Sequence, residues 1–144
     1  MAAIKNIIAG LGGAIALNLL HESLKHKKGT PRIDLLGEEA LQKGLEPIGQ
    51  EIENEDTLYA ATLGADIVSN TMYYATIGAG GTANIWPRAI ALGLTAGIGA
   101  VKLPEPMGLD DAPVAGSTQK QVMTVGYYVF GALVTAALLK AMKA

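Results

Sequence analysis

Two groups of side chains in this 144-residue chain have the types and spacing for chemistry. Asn18, His21 and Glu22 stand at i, i+3 and i+4 near the end of one long apolar segment. Asp66, Ser69, Asn70 and Tyr73 stand at i, i+3, i+4 and i+7 in the middle of another. On a helix each set shares a face. Ionisable groups inside segments long enough to cross a bilayer are costly, and they face a protein interior or a water-filled cavity rather than lipid. Asp66 is an acid able to exchange a proton or hold a cation. His21 offers a relay, because an unperturbed imidazole titrates near neutrality. The same residues also suit a purely structural role, since Asn, Ser and His commonly hydrogen-bond between membrane helices at about 0.6 kcal/mol per contact. A divalent-metal site from His21, Glu22 and Asp66 is not expected. Adjacent residues of a helix point roughly 100° apart, and the Glu-x-x-His spacing of di-iron bundles is absent.

The elements that must position these groups are helical. Half of the residues are hydrophobic and only 17% are charged, against about 25% in a soluble domain; the mean hydropathy is +0.31. Four apolar segments stand out, spanning approximately 4–24, 57–77, 84–101 and 121–139. At 1.5 Å per residue each measures roughly 25–30 Å, one hydrocarbon core. The expected fold is therefore all-α, an integral membrane bundle of four transmembrane helices in a single domain over 1–144. A soluble helical bundle is the alternative, but it requires a polar face on every helix. Ala89 to Ala100 and Val129 to Leu139 carry no charge on any face. The first segment also mimics a signal peptide through Lys5 and Ala14-Ile15-Ala16. Its apolar character continues to Leu20, so a retained helix is the expectation.

Between the first two segments, Lys25 to Asp56 holds eight of the thirteen acidic residues. Apolar residues recur there at Leu36, Ala40, Leu41, Leu45, Ile48 and Ile52, which predicts an amphipathic extramembrane region over 33–54. Asp34 is its expected cap, and Pro47 is expected to divide it. Residues 102–117 form an acidic loop whose Pro104, Pro106, Gly108, Pro113 and Gly116 forbid a long helix.

With four spans both termini share one side. The other side, called side B, carries Lys25, Lys27, Lys28, Arg32, Lys43, Lys102 and Lys120, against Lys5, Arg88, Lys140 and Lys143 on the terminal side. Positive charge favours the cytoplasm, so the termini are expected outside, in a bacterial inner membrane. Counted from side B, Asn18 and Asp66 lie roughly 9 and 12 Å deep, so the two polar groups meet if their helices are neighbours.

Of 18 glycines, Gly10, Gly13, Gly93 and Gly97 have the spacing of close helix packing, within the chain or in a homo-oligomer. The stretch Gly78 to Thr82 shares only its glycines with a phosphate loop, and no cofactor is expected. A net charge of −2 argues against nucleic acid. The absence of cysteine excludes thiolate chemistry. The expected partners are the lipid bilayer and a second copy or another membrane protein. Three functional classes follow. The preferred one is a structural or accessory membrane protein with a buried polar network. The second is an ion- or proton-coupled transporter or channel subunit using Asp66 and His21. The third is a membrane-embedded lipid-modifying enzyme with His21 and Glu22 as acid and base.

Overall fold

The computed structural model describes residues 2–142; Lys143, counted above on the terminal side, lies outside the described residues. The described residues form an all-α fold with six α-helices: α1 (Ala2–Leu24), α2 (Ile33–Leu45), α3 (Glu55–Ala75), α4 (Ile85–Lys102), α5 (Ala112–Ala115) and α6 (Thr118–Ala141). Local chemistry sets several boundaries. Asn54 caps α3 by accepting the Thr57 N–H at 3.0 Å, with Glu55 and Asp56 in the first turn, where acids suit the helix dipole. Ser117 caps α6 through the Lys120 N–H at 3.1 Å. Pro47 sits in a 3-10 turn after α2, and Gly49 closes that turn in a left-handed conformation at φ 70°.

Among the described residues there are four long helices, but only α1 and α6 are long and apolar enough on their own to cross a membrane. This corrects the expectation of four such helices. In α3 the polar set Thr57, Thr62, Asp66, Ser69, Asn70 and Thr71 dilutes the apolar character. In α4 the whole helix is 18 residues long and carries Arg88 and Lys102 near its ends.

The central pair is α1 and α6. Helix α3 packs along α1, and α4 packs along α6. Although consecutive, α3 and α4 do not pack along their lengths; a 3-10 turn over Thr76–Gly80 joins them, and the Tyr73 hydroxyl donates to Leu92 O at 2.6 Å. The core combines the small residues Ala9, Ala89, Ala132 and Ala136 with Tyr74 and Tyr127 and the aliphatic Leu17, Ile77, Ile85 and Leu139. Other large aliphatic side chains point outward: Ile4, Ile8, Leu11, Ile15 and Leu19 on α1, Ile90, Leu94 and Ile98 on α4, Val68 (63% exposed) on α3 and Val122 (65%) on α6.

The four singled-out glycines all pack within the chain. A Cβ on Gly10 would lie 2.9 Å from Ala75 N, and one on Gly13 would overlap Thr135 Oγ1 and Gly131 O. Gly93 and Gly97 bring α4 against the backbone of α6 at Val129 and Val125. Arg88 is tied inward too: its guanidinium donates to Ile77 O at 2.6 Å, Ala83 O at 3.1 Å and Gly81 O. It thereby supplies donors to carbonyls left unpaired after α3.

Candidate functional site

The side B end brings together the last turn of α1, the start of α2 and the first half of α3. His21 is buried, and its Nε2 accepts the Ile33 N–H at 3.0 Å. Ile33 opens α2, whose N-cap residue Arg32 makes no side-chain cap, so the imidazole satisfies one of the orphan donors of that helix end. Accepting at Nε2 places the proton of the neutral ring on Nδ1. Asp34 lies inside the first turn of α2 rather than capping it, a correction to the sequence expectation. It accepts a two-pronged contact from Arg32, Nε at 2.9 Å and Nη2 at 2.7 Å. Its Oδ1 stands 3.4 Å from His21 Nε2. Burial alone would raise the Asp34 pKa, but the two hydrogen bonds and the positive charge of Arg32 outweigh it and hold the carboxyl well below the usual carboxylate range.

A second knot lies beside the first. Lys25 Nζ pairs with Glu22 Oε2 at 2.6 Å and sits 4.5 Å above the Tyr59 ring, a cation–π placement. The Tyr59 hydroxyl donates to Glu22 Oε1. His21 and Glu22, the proposed acid and base of an enzyme, are thus both engaged in holding helices together. The acidic loop joins this end through backbone atoms: Arg32 N–H donates to Pro113 O at 2.9 Å, and Asp110 N–H donates to Glu39 Oε1 at 2.7 Å.

Asn18, His21, Glu22, Asp66 and Asn70 all line one narrow cleft between α1, α2 and α3, together with Asp34 and Thr62. The cleft has room for about one water molecule. Asn18 spends its amide on Ala14 O of its own helix at 2.9 Å. The buried Thr62 hydroxyl has no hydrogen-bond partner among the described residues. Among the described residues Asp66 forms no hydrogen bond or ion pair, unlike Glu22 and Asp34, the other carboxylates of the cleft. Ser69 and Tyr73 do not reach this cleft. With Asp66, Asn70 and Tyr128 they line a larger open groove between α3 and α4, of about 590 Å³, under α2 and the 103–109 loop. Asp66 therefore separates a one-water cleft from an open groove. Gly37 of α2 packs over it: a Cβ at Gly37 would lie 3.4 and 3.5 Å from the two Asp66 carboxylate oxygens.

Among the described residues no three His, Asp or Glu side chains group as metal ligands. Residues absent from the sequence reading of the site are Lys25, Arg32, Asp34, Gly37, Tyr59 and Thr62. Only the close pair Arg32 and Asp34 carried a signal in the sequence, and it reads equally well as a helix start. Comparison with known protein families, curated proteins and solved structures finds no match for this chain.

Proposed function

We propose that the chain is an integral membrane protein, with α1, α3, α4 and α6 in the bilayer and the termini extracytoplasmic. In this reading Asp66 takes up and releases a proton or cation, as a carrier or channel subunit requires. The bilayer reading is supported by the large aliphatic side chains exposed on all four long helices, since helix contacts in lipid favour small residues inside. The functional reading rests on one observation: Asp66 is the cleft carboxylate without a partner among the described residues. A network serving stability alone leaves no ionisable group unpaired at its centre, because such a group costs desolvation and returns nothing. The role falls to Asp66 rather than His21, whose Nε2 is committed to the Ile33 N–H.

The test is proton and cation flux in proteoliposomes, comparing wild type with Asp66→Asn. Flux in the wild type that falls at least about tenfold in the variant is expected. Flux equal in both, or absent from the wild type, overturns the carrier reading. A structural or accessory role is the second reading, supported by the His21–Asp34–Arg32 and Glu22–Lys25–Tyr59 knots. A partner would then meet the exposed α1 stripe of Ile4, Ile8, Leu11, Ile15 and Leu19, because the four glycines are used within the chain.

A further inference from the structure

The groove between α3 and α4 points to the chemical class of what Asp66 handles. We propose that it binds a hydrophobic organic cation, an ammonium or phosphonium centre on an apolar body, with the charge against Asp66. This rests on the reading of Asp66 as an exchangeable carboxylate and names the cation that it exchanges.

Charge complementarity carries the argument. Asp66 is the one charged residue among those lining the groove, and it has no basic partner among the described residues. A carboxylate held beside apolar walls favours a cation, since an unpaired charge there is expensive. The walls suit an apolar body: Leu36 and Ala40 come from α2, Ala96 and Ala100 from α4. Tyr73 and Tyr128 also line the space, and aromatic faces attract quaternary cations. A bare metal ion fits less well. Thr95, one of the few hydroxyls present, already donates to Ala91 O at 2.8 Å, and hard cations call for several oxygens. The body lies in the groove because the cleft on the other side of Asp66 holds only about one water. Access comes from the side, where α3 and α4 do not pack together.

The experiment is equilibrium dialysis of the full-length protein in dodecyl maltoside micelles with labelled tetraphenylphosphonium. Tetraphenylborate, of the same shape and opposite charge, runs in parallel. Saturable phosphonium binding is expected, with the borate at least about tenfold weaker, or 1.4 kcal/mol, and a similar loss in Asp66→Asn. The borate comparison uses the wild type and so does not depend on the variant folding. Equal binding of the two ions, or phosphonium binding unchanged in Asp66→Asn, overturns the proposal. Flux that needs Asp66 with no phosphonium binding sinks the organic cation and leaves the exchangeable carboxylate. Phosphonium binding without flux sinks the carrier and leaves the groove.

Discussion

Replacing Gly97 by alanine tests the seam that holds the groove in shape. The added Cβ would stand 2.6 Å from Val125 Cα and 3.1 Å from Val125 O. Carbon atoms rest comfortably at about 3.5–4.0 Å, so α4 must retreat from α6 by roughly 1 Å. The obstructing atoms are backbone, with no flexible side-chain end to give way. A gap of about that size forfeits a quarter to a half of each dispersion contact along the seam. One turn away, Gly93 faces Val129 Cα at 2.8 Å by the same construction, so the helix has no easy pivot. Overpacking of this kind costs about 1–3 kcal/mol. Alanine also gains up to about 1 kcal/mol in helix propensity, which would blur the result taken alone. The control is Gly126→Ala on α6, where a Cβ meets nothing within 4 Å. Both variants gain the same propensity, so their difference isolates the packing. At about 3 °C per kcal/mol for a chain of this length, Gly97→Ala is expected to melt roughly 3–9 °C below Gly126→Ala. The assay is thermal unfolding in one detergent, followed by circular dichroism at 222 nm. Equal melting temperatures, or a higher one for Gly97→Ala, would refute the close α4–α6 approach.

The remaining predictions concern the side B knots. Because the folded pKa of Asp34 is depressed, its ionised form stabilises the fold fully above the ordinary carboxylate value of about 3.9, and this contribution fades as pH falls below it. The melting difference between wild type and Asp34→Asn is therefore expected to be large at pH 7 and to shrink from about pH 4 downward; a difference that does not change with pH would exclude the ion pair as its source. His21→Ala leaves the Ile33 N–H without its acceptor, at a cost of about 1–3 kcal/mol. Amide hydrogen exchange is expected to speed up at Ile33 and the next residues of α2 while the middle of α6 stays protected. Unchanged exchange at Ile33 would show that the imidazole does not hold this helix end.

The sequence carried the helical character of this protein because hydrophobic periodicity and caps are local. The apolar runs became α1 and α6, Asn54 and Ser117 placed helix starts, and Pro47 and the Pro/Gly-rich stretch after Lys102 ended helices. Side-chain spacing alone put Asp66, Ser69, Asn70 and Tyr73 on one face of α3, because 3.6 residues complete a turn whatever the surroundings. What that face meets is a matter of long-range packing. Asp66 and Asn70 border the narrow cleft with α1, whereas Ser69 and Tyr73 open onto the groove with α4. Spacing could not reveal that His21 would satisfy the first N–H of α2, since that bond joins residues 12 apart across a loop. Nor could it reveal that Arg32 would clamp the Asp34 carboxylate with its guanidinium while its backbone N–H reached Pro113 O of the acidic loop. Helices α3 and α4 are consecutive, yet glycines on α4 fit the backbone of α6 and left a groove beside α3. Composition and periodicity determined that this chain is helical and rich in apolar surface. The partner of each face depended on shape complementarity between helices distant in sequence, and that alone left Asp66 unpaired between a cleft and a groove.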